Sequence, residues 1–273
     1  MPLLLFTSPK GGVGKTTLSA HTAAILAKRG HRVLAVDLDP QNALRLHLGV
    51  SIREESGFLK AFDHRPDWRA SAIDTPAGVR LLPFGAVEPR RVLQLGVALL
   101  DDPELLAAPV RDMLAEPGLV VVVDSAPGSS AMVSAVASLA DLTLMVLLAD
   151  AGSASLMPQV ASGRANGRGT LAGRTIDRTA VILNQVELDG RLSAAVLESA
   201  ASTLGPRLLG AVCRDDALAE ALANRRLLLD GAGAAAEDLT LMVDAIQNWA
   251  KLVPVSGRNG QFPALADWGL HCC

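Results

Sequence analysis

The stretch Leu3-Leu4-Leu5-Phe6-Thr7-Ser8-Pro9-Lys10-Gly11-Gly12-Val13-Gly14-Lys15-Thr16-Thr17 runs from an apolar strand through a glycine-rich turn into a helix. That order constrains the chain more than any other feature, because it is the arrangement that cradles phosphate. Gly11, Gly12 and Gly14 let the backbone turn tightly and aim successive N–H groups inward, and the following helix adds its positive N-terminal end. In such a cradle Lys15 meets the β- and γ-phosphates of a nucleoside triphosphate, and the Thr16 hydroxyl can ligate Mg²⁺. Pro9 stands where the strict G-x-x-x-x-G-K-[ST] pattern has glycine. The strand before and the helix after therefore carry the reading, against the alternative of an ordinary glycine-rich loop.

After the loop, residues 17–29 are expected to form a helix stopped by Gly30, and 32–37 an apolar strand, which together make a βαβ unit opening a parallel sheet. Asp37-Leu38-Asp39-Pro40-Gln41 then puts two carboxylates at the C-terminal edge of that strand, where open α/β sheets bind ligands. Taken alone, Asp39 before a proline also reads as a turn starter. Residues 118–128 read as a strand buried on both faces, closed by Asp124 and a Pro127-Gly128 break, with a helix at 129–140. Capping of that helix is the alternative role for Asp124.

Further strands are expected at 79–84, 142–148 and 179–183, and helices at 43–48, 57–62, 90–100, 104–115, 153–164, 216–223 and 234–251. Pro109 falls inside the helix expected at 104–115, where it removes a backbone donor. Arg164, Arg168, Arg174 and Arg178, spaced by glycines and without aromatics, read as a solvated loop rather than a nucleic-acid surface. From Val253 the composition turns to Pro, Gly and polar residues. The expected organisation is one α/β domain over 1–251, with a doubly wound, mainly parallel sheet flanked by helices, and a tail over 252–273 outside the core.

A net charge of −3 argues against a strongly electrostatic partner such as duplex DNA. Cys213 with the terminal Cys272 and Cys273 offers no disulfide framework, so a reducing cytoplasm is expected. Apolar runs are strand-length, short of the ~20 residues a membrane helix needs, and no secretory signal precedes the first strand. His271 beside Cys272 and Cys273 clusters three metal-ligand types at the end of the chain, and no metal site is expected from them.

Lys10 lies five residues before Lys15, and the run Lys10-Gly11-Gly12-Val13-Gly14-Lys15-Thr16 resembles the deviant phosphate loop of the ParA/MinD group of ATPases. The resemblance implies that Lys10 reaches across a dimer interface to the other subunit's nucleotide. Two like charges beside one triphosphate fit the charge that a facing pair of ATP molecules shares. A solvated surface lysine is the alternative. Carried over to matching positions, Lys10, Gly11, Gly12, Val13, Gly14, Lys15, Thr16 and Thr17 hold the nucleotide, and Asp39 orients the attacking water. Thr16, Asp37 and Asp124 serve magnesium, with Asp124 on what looks like the Walker B strand and Gly128 near the γ-phosphate.

By the same resemblance Asn184 reads adenine, through an amide that offers a donor and an acceptor. Residues 207–215 resemble the last sheet strand and the purine-side loop, with Cys213 and Asp215 near the base and Cys213 standing where many relatives have proline.

Short matches at Asn42-Ala43-Leu44-Arg45-Leu46, Gly57-Phe58, Asp67-Trp68-Arg69 and Leu81-Leu82-Pro83-Phe84-Gly85 resemble the BcsQ proteins of bacterial cellulose-synthase operons. This implies a MgATP-dependent dimerising switch that supports assembly, regulation or polar placement of a cellulose synthase complex. It would work through the synthase machinery or a small accessory subunit, reaching the inner membrane or cell pole only through partners, with no specific nucleic acid. Competing readings are a DNA- or cargo-partitioning ATPase and a nucleotide-binding scaffold with negligible turnover. An iron–sulfur carrier lacks its paired cysteines here, and a tyrosine kinase of related loop lacks any Tyr.

Overall fold

The computed structural model describes residues 1–60, 67–166, 176–187, 189–229 and 233–253. The end of the expected 57–62 helix, Arg168 and Arg174 of the basic stretch, and the tail residues His271, Cys272 and Cys273 lie outside them. In order the chain forms β1 (Leu3–Thr7), α1 (Lys15–Lys28), β2 (Arg32–Leu38), α2 (Leu44–His47), α3 (Trp68–Ser71), β3 (Ile73–Asp74), β4 (Arg80–Leu82), α4 (Pro89–Asp101) and α5 (Glu104–Ala115). Then come β5 (Leu119–Ser125), α6 (Ala131–Ala137), β6 (Leu142–Leu148), α7 (Ala151–Ala161), β7 (Thr179–Val186), α8 (Arg191–Leu204), β8 (Leu208–Cys213), α9 (Asp216–Ala223) and α10 (Ala234–Ala250).

The strands make one sheet in the order β3-β4-β2-β5-β1-β6-β7-β8. Every pairing is parallel except β3 with β4. β1 is central and wholly buried, and its side chains alternate between two cores. Leu4 and Phe6 join Leu18, Leu26, Val243 and Ile246 beneath α1 and α10. Leu3 and Leu5 join Leu95, Leu99, Val110 and Val136 beneath α4, α5 and α6. A third cluster, with Met145, Leu183, Met157 and Leu204, lies under α7 and α8. Helices thus cover both faces, which is why β1, β5 and β6 read as continuous apolar runs.

The doubly wound expectation holds, with differences at element ends. α1 starts two residues earlier than expected, at Lys15, and the 79–84 strand shortens to Arg80–Leu82. The helix after β5 begins at Ala131, where Ser130 caps it by accepting from the Val133 N–H at 3.1 Å, so Asp124 is not its cap. Pro109 is accommodated inside α5. β7 extends to Val186 through an irregularity in its pairing with β8, and Gln185 there has φ 55°. Among the described residues no helix is long and apolar enough to cross a membrane.

Candidate functional site

The turn between β1 and α1 sits at the C-terminal edge of the sheet's central strand. Gly14 adopts φ 86° as the residue before α1, and a Cβ there would clash with the Asn184 amide nitrogen. Only glycine fits, on both backbone and steric grounds. α1 carries no acidic residue in its first turn and no side-chain cap, which leaves its N-terminal N–H groups and positive dipole end available to an anion.

Lys15 and Thr16, the first two residues of α1, converge on Asp124 at the end of β5. Lys15 Nζ lies 3.2 Å from Asp124 Oδ1, and the Thr16 hydroxyl donates to Oδ2 at 2.7 Å. Both partners of the Lys15–Asp124 ion pair are buried. Parallel register sets Asp37 of β2 beside Asp124. Asp37 accepts from the N–H groups of Asp39 (2.9 Å) and Leu44 (3.1 Å). Burial and then the Asp124 carboxylate push the Asp37 carboxyl well above its ordinary range. Burial raises Asp124 as well, against the lowering pull of Lys15 and Thr16. Asp39 is buried, and its carboxylate closes the following turn by accepting from the Gln41 N–H at 2.9 Å.

These residues fit a magnesium ion that arrives with a phosphate. The oxygens of Thr16, Asp124 and Asp37 are hard donors, and two neighbouring buried carboxylates gain from added positive charge. Among the described residues no group of three His, Cys, Asp or Glu side chains forms a cage. A magnesium ion bound chiefly through phosphate and water needs only one or two protein ligands.

Lys10 stands apart from this cluster. Its Nζ reaches 3.3 Å from Asp150 Oδ1 and lies against Gly152 in the first turn of α7. Asp150 also caps α7 by accepting from the Ser153 N–H at 2.6 Å. Against the cost of burial, the Ser153 hydrogen bonds and the Lys10 charge hold the Asp150 carboxyl below its ordinary range. Gly128, expected near the γ-phosphate, donates its N–H to the Ser8 carbonyl at 2.7 Å.

Beside the loop is a pocket of about 230 Å³, whose lining includes Gly14, Thr17, Asn184, Cys213, Asp215 and Leu218. The residues expected at the base are therefore gathered next to the phosphate cradle. Asn184 donates to the Val13 carbonyl at 2.8 Å, while its own Oδ1 is buried with no hydrogen-bond partner among the described residues. An orphaned acceptor of this kind fits the exocyclic amine of a purine. Burial, then the neighbouring Asp238, pushes the Cys213 thiol up to about 11, so it lines the pocket as a neutral group. Asp215 caps α9 by accepting from the Ala217 N–H at 2.8 Å.

The family model for cellulose biosynthesis protein BcsQ matches residues 1–249. The chain belongs to the BcsQ family. Cellulose biosynthesis protein BcsQ of Escherichia coli is 38% identical over 85 residues, 31% of this chain and 34% of that relative, so the match spans a minority of its length. Among solved structures, the MinC:MinD cell division complex of Aquifex aeolicus aligns with a TM-score of 0.73 and 21% identity, over 91% of this chain and 96% of the other. The septum site-determining protein MinD of Pyrococcus horikoshii, complexed with Mg-ADP, aligns at 0.71 and 19%, covering 91% and 97%. At these identities the likeness shows the fold, a MinD/ParA-type phosphate-loop architecture.

For this BcsQ-family chain, Asp150, which holds Lys10, is not among the site residues expected from the sequence. Its signal was the Asp150-x-x-Ser153 spacing after β6, an N-cap pattern beside the sheet edge that also carries the loop.

Proposed function

We propose that this chain is a MgATP-dependent switch ATPase whose two-subunit form encloses nucleotide and supports a bacterial cellulose synthase complex. The observation that carries this reading is the convergence of Lys15, Thr16 and Asp124 at the glycine turn, beside a pocket that ends in the orphaned Asn184 carbonyl. In this reading the α1 N-terminus and Lys15 bind the phosphates, Thr16, Asp37 and Asp124 hold magnesium, and Asn184, Cys213 and Asp215 surround the base. Bound magnesium would neutralise charge on the β- and γ-phosphates. Asp39 orients the attacking water, and Lys10 completes the partner's site.

Catalysis of this kind is positioning and charge compensation, with little covalent chemistry for the protein. Its output is a change of association state rather than a metabolite. Its partner in this reading is cellulose-synthase machinery or a small accessory subunit, a choice supported by the family's tie to cellulose biosynthesis. We place the chain in the cytoplasm, brought to the inner membrane or a cell pole by those partners.

Calorimetry with MgATP, beside phosphate release, tests the reading. The parent chain is expected to bind and slowly hydrolyse ATP, and Lys15→Ala to lose binding. Undiminished affinity in Lys15→Ala would reject the phosphate assignment. Tight binding without any phosphate release would support the scaffold alternative.

A further inference from the structure

Helix α4 is apolar on two sides. Leu95 and Leu99 enter the core under the α4–α6 layer, as they must to hold the helix on the sheet. On the outer side Leu93, Val97 and Leu100 recur at i, i+4 and i+7, and are 73%, 60% and 71% exposed. Single exposed leucines are ordinary, but a continuous stripe on one helix marks a contact surface. Gly96 borders this stripe, and a Cβ built on it would have no other described element within 4 Å. Glycine weakens a helix interior, and the chain's own packing does not require it there.

Charge selects the occupant. Arg90 and Asp101 lie about three turns apart, so they return to the same flank of the stripe, one at each end. Two copies of α4 crossing antiparallel about a two-fold axis bring same flank to same flank and the start of each helix to the end of the other. Arg90 of each copy then faces Asp101 of the other, twice over. The leucines interdigitate between them, and Gly96 lets the backbones approach at the centre. We propose that the α4 stripe is a homotypic interface through which two copies of this chain pair without nucleotide.

This surface is on the Leu3/Leu5 side of the sheet, whereas α1 packs on the Leu4/Phe6 side. The inference therefore does not rest on the nucleotide reading. Pairing through α4 would persist in Lys15→Ala.

Sedimentation velocity in nucleotide-free buffer, over a range of concentrations, tests it. The parent chain and Lys15→Ala are expected to show a reversible dimer, and the Leu93→Glu/Leu100→Glu variant only monomer. These leucines are exposed, so that variant is expected to keep the parent unfolding midpoint. Arg90→Glu and Asp101→Arg should each weaken the dimer, and together restore it, because the swapped charges again face one another. Val97→Cys, near the two-fold axis, should cross-link under mild oxidation above the background given by the parent's own cysteines. A parent chain that is monomeric at every concentration would overturn the proposal, even if the stripe bound another protein. So would a charge-swapped double variant no better than its single parents.

Discussion

Lys10 Nζ lies 3.3 Å from Asp150 Oδ1, so within one subunit the early lysine of the phosphate loop is held by the cap of α7. Side chains of both are substantially exposed, 33% and 43%, which makes this a pair of modest strength that a triphosphate can outcompete. Reaching a partner's nucleotide would require Lys10 to leave Asp150.

Removing the Asp150 charge while keeping an acceptor for Ser153 should release Lys10. Asp150→Asn is expected to raise the ATP-dependent association constant by up to about thirtyfold, because each dimer releases two such pairs and an exposed ion pair is worth at most about fivefold. Sedimentation equilibrium with a slowly hydrolysed ATP analogue measures it, with Leu93→Glu and Leu100→Glu carried in both chains so that only the nucleotide-dependent interface is read. A weaker dimer in Asp150→Asn would show that the pair supports the associating form instead.

The buried pair of Lys15 and Asp124 behaves differently. Asp124→Ala leaves the Lys15 ammonium buried without its carboxylate, and is expected to cost roughly 3–5 kcal/mol in nucleotide-free protein. Adding Lys15→Met to that variant should recover much of the loss, because the stranded charge is gone. Urea unfolding of the two single variants and the double variant gives the coupling. Strictly additive losses would mean that the two groups do not compensate one another.

Much of this site was legible because buried parallel strands read as continuous apolar runs, and because Asp37 and Asp124 each close one. The sheet edge then had to gather them, as the register pairing Asp37 with Asp124 does. α3 and β3, at four and two residues, are too short to display any period, and they hold their places by contacts instead. Trp68 donates to Asp112 at 2.6 Å and lies under the Arg69 guanidinium, 4.3 Å from its ring centre. Lys10 with Asp150 and Asn184 with Val13 link residues far apart in the chain, and no local pattern reports such pairs. Pro109 sits inside α5, which still buries Leu106, Val110 and Met113, so tertiary packing overrides the local penalty.

Acid should weaken the fold through its histidines. Burial, with the nearby His21 and Lys15 charges, lowers His47 from 6.5 to about 4, and burial lowers His21 as well. Between those values the unfolded chain binds a proton at His47 that the folded chain refuses. Stability is therefore full above the unfolded value and falls as pH drops through the window, by at most about 3 kcal/mol for this residue. Unfolding midpoints of the parent and His47→Gln across that range check it. The variant should lose less than the parent, and parallel curves would remove His47 from the explanation.

Light scattering with ADP and with ATP decides whether nucleotide state sets association through Lys10 and Asp39. Carrying Leu93→Glu and Leu100→Glu throughout leaves only the nucleotide-dependent interface in play. The expected result is a monomer with ADP and a transient dimer with ATP, no dimer for Lys10→Ala despite bound ATP, and a persistent dimer for Asp39→Ala. A mass indifferent to nucleotide, or a Lys10→Ala chain that dimerises like its parent, would contradict it.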